Sequence, residues 1–387
     1  VNSSANPSAY NPSGSSGGGN VTERQCFVYS EDGIHFTKYE KNPVIDIPND
    51  DPIIANIDFR DPKIWDHNGK YYCVIGNRIR DRSRTQIVLF ESENFFDWHY
   101  KSVVAISKPD YSEGTMWECP GFAHFGDKYV MIISPQHVPP QGRLYHNIHQ
   151  AGYMVGTLDY DQGVFTHGNF VTFDYGFDFY ATTMMKDPQG RYFIIGWLDM
   201  WQSPFPEQED GWSCILSIPR QLKMTEDGKV VTVPPEEYED MRDTCTAYDN
   251  LTIDKVTELD GVKGDVGELL FDVDVKQTGD FGFELRCSDD DTEKTVFYYN
   301  AKENFFGMNR DKAGREQSGT REFDLPELDK LSFRIYLDKS SIEVFINGGE
   351  WVTSTRVYAR EDSTGIRFVP KNGGKMVIPS VKFYTLK

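Results

Sequence analysis

The chain has 387 residues, with 60 Asp and Glu against 40 Lys and Arg and a formal net charge of −20. That balance argues against nucleic acid and against anionic membrane as partners. The length exceeds one ordinary domain, and the 14% aromatic content suits strands and sugar-binding surfaces alike.

No apolar run reaches membrane-spanning length, and no secretory leader is visible. The six cysteines stand singly, without a CxxC pair or metal-type spacing, so free thiols in a reducing, cytoplasmic compartment are expected. Glycosylation-type triplets at Asn2, Asn20 and Asn250 keep a secreted origin open.

In chain order, "SGSSGGGN" (Ser13 to Asn20) has neither the Lys nor the following helix of a phosphate loop and is expected as a flexible loop. "CFVYSEDGIHFTKY" (Cys26 to Tyr39) then reads as strand, acidic turn and strand, and recurs as "IVLFESENFFDWHY" (Ile87 to Tyr100). A second cassette occurs three times: "HNGKYYCVIGN" (His67 to Asn77), "FGDKYVMIISP" (Phe125 to Pro135) and "PQGRYFIIGWL" (Pro188 to Leu198). Each is a Gly turn, a basic residue and an apolar strand rich in aromatic and β-branched residues. Just ahead of each lies an acid: Asp61 in "FRDPKIW", Glu118 in "MWECPGF" and Asp178 in "FDFYATT", at intervals of 57 and 60 residues.

A period of that size with about four strands per unit predicts the blades of a β-propeller. Inner strands of successive blades line one axis, so the three carboxylates are expected to meet at one mouth. "TVPPEEYEDMRDT" (Thr232 to Thr244) falls in an expected linker, residues 233–249, after a propeller over 1–232. From 250 to 387, alternating runs such as Phe333, Ile335, Leu337 and a turn at Asn347-Gly348-Gly349 predict an all-β sandwich.

Carboxyls with different environments are the equipment of a glycosidase. One must be protonated to donate to the leaving oxygen, and one must be ionised to attack or to support a cationic transition state. Glu118, flanked by Trp117, Cys119 and Pro120, fits the acid; Asp61 fits the ionised role, with adjacent Arg60 expected to hold it so. Tyr180 or Trp197 could pack against a sugar ring. "CSDDDTE" around Asp289 to Asp291 is expected as a solvated turn rather than a calcium site, and no GxSxG setting supports a serine hydrolase.

"FRDPKIW", "WECPGF", "DFYA" (Asp178 to Ala181), Gly196-Trp197, "LSIPRQL" and "DKSSIEVFINGGE" (Asp338 to Glu350) resemble, in order and spacing, glycoside hydrolase family 32, the invertases and fructanases. The resemblance implies a five-bladed propeller followed by a sandwich, and retaining hydrolysis of terminal β-fructofuranosyl bonds with neither cofactor nor metal. It implies Glu118 as general acid/base and Asp61 as transition-state stabiliser. Arg60, Tyr180, Trp197 and Asp178 are implied as substrate-binding residues, with Cys119 tuning the acid. The family's attacking aspartate sits in an Asn-Asp-Pro-Asn-Gly type of motif that these 387 residues lack; "NDDP" (Asn49 to Pro52) is expected as a loop. The first blade and the inner half of the second are therefore expected to be missing from this chain, or supplied by a second chain. A sugar-binding protein without hydrolysis is the competing expectation. "RIRDRSR" (Arg78 to Arg84) and the insertion "PPQGRLYHNIHQAGY" (Pro139 to Tyr153) are expected to border the pocket, the former as an attractor for phosphate.

Overall fold

A computed structural model describes residues 22–387. The Ser13–Asn20 stretch and the triplets at Asn2 and Asn20 lie outside the described residues. Alternation and Gly turns in the first half of the chain produce three four-stranded antiparallel meanders. The first runs through Phe59–His67, Lys70–Arg78, Thr85–Ser92 and His99–Ile106. The second runs through Met116–Phe125, Lys128–Gln136, Gly152–Asp159 and Val164–His167, with Val171–Thr172 pairing back onto its third strand. The third runs through Tyr180–Lys186, Tyr192–Trp197, Arg220–Met224 and Val230–Val233. A hairpin, Val28–Tyr29 with Thr37–Lys38, precedes them and packs Phe27 against Phe95 and Phe96 at 5.2 and 5.5 Å.

The turns follow from their residues. Asn68 and Gly69 both take positive φ between His67 and Lys70, the conformation a two-residue hairpin turn of the right twist requires. The second strand of the middle meander, Lys128–Gln136, is the most apolar because sheets cover it on both faces. Val74, Leu89, Trp117, Met131 and Ile133 fill the space between the first and second sheets. Ala123, Val130, Ile132, Phe179, Ile194 and Leu222 fill that between the second and third. The outer face of the first sheet is covered by Ile45, Ile47 and Ile54. Each fully buried side chain of this kind contributes about 1.5–3 kcal/mol, which fixes the sheets face to face like blades. Gly76 permits a close approach of the first two blades: a Cβ there would sit 2.3 Å from the Trp117 carbonyl oxygen.

The remainder is a β-sandwich. One sheet has the order Arg242–Ile253, Met376–Leu386, Gly267–Asp274, Lys330–Asp338, Ser341–Ile346, Trp351–Arg356. The other is Thr320–Asp324, Phe305–Lys312, Lys294–Asn300, Phe281–Cys287, Gly365–Pro370. Their inner faces meet in an aromatic core in which Phe271 stacks on Phe333 at 4.7 Å and Phe283 on Phe297 at 5.0 Å. The expectation of a linker over 233–249 is corrected. Glu236–Met241 is a 3₁₀ turn, and Arg242–Ile253 is the edge strand of the six-stranded sheet, paired along Met376–Leu386.

Blade and sandwich are joined by buried charge. Arg220, in the third blade, is wholly buried and bonds Asp174 at 2.9 Å and Glu343 of the sandwich at 2.6 Å. Backbone pairing reinforces it: Phe177 N–H donates to the Ser354 carbonyl, and at Gly176 a Cβ would lie 2.1 Å from that same oxygen.

Candidate active site

The innermost strand of each blade carries a β-bulge at the same place. Pairing is regular up to Arg60 opposite Gly76, Glu118 opposite Ser134 and Tyr180 opposite Trp197. It resumes only at Lys63, Gly121 and Thr183, with one residue extra on the inner strand. The residue after each paired position, Asp61, Cys119 or Ala181, takes a left-handed φ of +62°, +52° or +50°. Such bulges re-aim side chains at functional sites.

The structurally equivalent residues are thus Arg60, Glu118 and Tyr180, and they form one hydrogen-bonded row. Arg60 Nε donates to Glu118 Oε1 at 2.8 Å, and the Tyr180 hydroxyl donates to Glu118 Oε2. Arg60 Nη1 also donates to Asp58 at 2.7 Å and lies 3.7 Å from Glu23. Burial disfavours the Arg60 charge, but Glu118, Asp58 and Glu23 together more than offset this and raise its pKa. Glu23, which accepts the Phe59 N–H, is itself pushed up by burial.

Asp61 lies beside this row. Its Oδ2 accepts the Cys119 backbone N–H at 3.0 Å and faces the Cys119 thiol at 3.8 Å. Burial, with the Glu118 charge adding to it, raises the Asp61 carboxyl above its ordinary value against the Cys119 bond and Arg60. The expectation that Arg60 holds Asp61 ionised is corrected: the bulge turns the two side chains apart, and the guanidinium serves Glu118 and Asp58 instead. Burial also holds the Cys119 thiol neutral, its pKa well above the usual range. A hollow of about 240 Å³ opens here, lined by Asp61, Cys119, Pro120, Ile132, Thr182 and Met184 among others.

Asp178 does not join the mouth. It is fully buried at the junction with the sandwich, where Oδ2 accepts from Arg310 Nη1 at 2.6 Å and from the Arg356 N–H at 2.8 Å. Counting from acid to acid had treated it as the partner of Glu118, whereas the position in register is Tyr180, 62 residues on. Trp197 stands directly opposite Tyr180, half-buried, with Trp201 at 4.9 Å.

Sequence reading missed several neighbours. Asp58, just before the strand and at a φ of +54°, and Glu23, from a distant segment, carried no sequence signal that would place them beside Arg60. His149, in the insertion singled out above, packs its ring 5.0 Å from Tyr180 and 4.8 Å from His137. Burial and His137 bring the His149 pKa down to about 4, so it is neutral at neutral pH. The Arg-rich segment is largely structural. Arg80 donates to the Asn49 and Asp51 carbonyls and Arg84 to that of Ser107, while Arg78 reaches Asp58 at 3.7 Å and Arg82 is exposed.

A carboxyl held between a guanidinium and a phenol at the mouth of a bladed sheet assembly, with a second carboxyl one strand away, defines a β-propeller glycosidase. Comparison with known proteins agrees. Residues 10–235 match the glycosyl hydrolases family 32 N-terminal domain, and 237–385 match the family's C-terminal domain. The chain is 32% identical over 385 residues to a sucrose-6-phosphate hydrolase of Zymomonas mobilis, covering 95% of this chain and 72% of that protein. It is 32% identical over 355 residues to a raffinose invertase of Escherichia coli, covering 91% and 71%. The solved structure of a Bombyx mori GH32 β-fructofuranosidase superposes with a TM-score of 0.80 at 29% identity, over 95% of this chain and 73% of that one. The chain belongs to glycoside hydrolase family 32.

Proposed function

We propose that this glycosidase hydrolyses terminal β-fructofuranosyl bonds of sucrose, sucrose 6-phosphate or short fructans, with retention at the anomeric carbon. The observation that carries the residue assignment is the bonded row Arg60, Glu118, Tyr180 beside Asp61. Glu118 gives a proton to the departing glycosidic oxygen and later takes one from the incoming water. Arg60 and Tyr180 fix both carboxyl oxygens, so that the group exchanges its proton without rotating. Asp61, pinned by the Cys119 N–H at 3.0 Å, braces the fructosyl hydroxyls as positive charge develops on the ring. Trp197, half-buried, shapes the wall against which the sugar packs, whereas Tyr180 is fully buried and acts through its bond to Glu118 instead. Asp178 has no part in the chemistry.

The relatives' names support this substrate range: sucrose-6-phosphate hydrolase, raffinose invertase and, for a Bombyx mori variant, a complex with sucrose. The six free cysteines support a reducing, cytoplasmic setting. Replacing Glu118 by Gln is the test. Hydrolysis of sucrose should fall about 10²–10⁴-fold while sugar binding persists; an undiminished rate rules the assignment out.

One sequence feature favours a second reading, sugar binding without turnover: the Asn-Asp-Pro-Asn-Gly type of motif that carries the attacking aspartate is not among these 387 residues. On the first reading that carboxylate comes from outside them, from further residues of the same protein or from a second chain. Assaying this polypeptide at verified intact mass, alone and in its natural full-length form, separates the two.

A further inference from the structure

The three inner strands hold Arg60, Glu118 and Tyr180 at one end and a second, larger hollow at the other. Past the bulges the same strands continue to His67, His124 and Lys186, which line a cavity of about 520 Å³. At about 3.3 Å per residue, His124 and Lys186 stand roughly 15–20 Å beyond the Glu118 row. In a protein of net charge −20 the cavity has the opposite character. Lys63, His67, His124 and Lys186 line it, against a single acid, Asp66.

Lys63 is half-buried, and that burial lowers its pKa. One of its three N–H groups is given to the Met184 carbonyl. No carboxylate lies within ion-pair distance of Lys63 or Lys186 among the described residues; Lys186 sits 5.3 Å over the Tyr192 ring instead. A partly desolvated cation without a counter-charge carries a cost that an incoming anion relieves. The imidazoles are held flat by their neighbours. His67 stacks on Tyr160 at 3.8 Å and His124 on Tyr129 at 4.4 Å, and Trp65 Nε1 donates to the Tyr160 hydroxyl at 2.9 Å.

We propose that this cavity binds a phosphate dianion, free or carried on a sugar. Lys63 and Lys186, from the first and third inner strands, supply positive charge and N–H donors from two sides, the arrangement that phosphate oxygens accept. Trp65, Tyr129 and Tyr160 add aromatic surface for a sugar ring, in a volume typical of small-molecule sites. The site is distinct from the sugar pocket and does not depend on the role of Glu118. It meets the hollow at Asp61 through Lys63 and Met184, which line both.

The test is isothermal titration calorimetry of the wild-type protein, E118Q, K63M and K186Q with inorganic phosphate and with glucose 6-phosphate. Wild type and E118Q should bind with equal affinity, and K63M and K186Q should each weaken binding about tenfold or more. Lys186 is exposed, so K186Q keeps the test intact should K63M fail to fold. Tighter binding of glucose 6-phosphate than of phosphate assigns the site to sugar phosphates; binding no tighter assigns it to the free anion. No saturable binding of either to wild type, an affinity that K186Q leaves unchanged, or binding that E118Q abolishes, overturns the proposal.

Discussion

Replacing Arg220 by Met removes the one cation from a wholly buried cluster. Its guanidinium bonds Asp174, Glu343 and Ser354 Oγ and lies 4.1 Å over the Phe179 ring. The Arg220 side chain is 0% exposed and its two carboxylate partners are 3% exposed each, so solvent can stand in for none of these contacts. Removing one partner of such a network costs about 3–5 kcal/mol, because the remaining charges stay buried and unpaired. For a unit of about 150–250 residues this lowers Tm on the order of 10 °C. The deficit should also depend on pH. Burial raises both the Asp174 and the Glu343 carboxyls, and Arg220 is what pulls them back. Without it their folded-state pKa values rise further above the unfolded ones. A carboxyl raised in this way favours folding below its unfolded pKa and forfeits that contribution as pH climbs through the folded value. Urea denaturation should therefore show R220M closer to wild type at pH 5 than at pH 8. A deficit under about 1 kcal/mol at pH 8, or one equal at both pH values, would refute the reasoning. Replacing all three members together (D174N, R220M, E343Q) should recover most of the loss.

Tyr180→Phe deletes one donor to a charged acceptor, worth about 1.5–3 kcal/mol. Sucrose turnover should fall roughly 10- to 100-fold with a melting temperature lowered by only a few degrees, read from steady-state rates and calorimetry. Asp178→Asn should do the reverse: about 3–5 kcal/mol of stability lost with the Arg310 pair, and a KM for sucrose close to that of wild type. Asp199, pushed up to about 7 by burial and by its neighbours Asp178 and Glu207 against Arg356, favours folding at low pH and loses that contribution as pH rises through 7. Urea midpoints from pH 5 to pH 8 should accordingly fall more steeply for wild type than for D199N.

The blade pattern was legible because a Gly turn followed by an apolar strand is a strong local signal, repeated three times. Glu118 and Asp61 were legible for the same reason, since the inner strand precedes that turn. What period counting could not resolve was phase. The connections between blades differ in length, so the true equivalents are Arg60, Glu118 and Tyr180, not three acids. Asp178 was misplaced by that slip. Arg60 was paired with Asp61 because adjacency in sequence says nothing of direction once a left-handed residue intervenes. The part of the strand Arg242–Ile253 that falls within 233–249 reads as linker because, as an edge strand, the element buries fully only Ile253 and lacks an apolar alternation to read. Glu23 and His149 reach the site from distant segments, and only the packed chain brings them there.

The three bulges also bear on how such a site can change over time. Each inner strand presents an adjoining pair of positions, 60 and 61, 118 and 119, 180 and 181, whose direction is set by main-chain geometry rather than by their own packing. The blade cores lie elsewhere along the strands, in residues such as Phe122, Val130 and Ile194. Side chains at these positions, the fully buried Tyr180 excepted, can therefore be exchanged with little effect on the blade cores. Ala181, alone among the three left-handed residues in carrying no functional group, is the vacant place in that set, one residue from Tyr180 and within reach of a new donor, acceptor or charge.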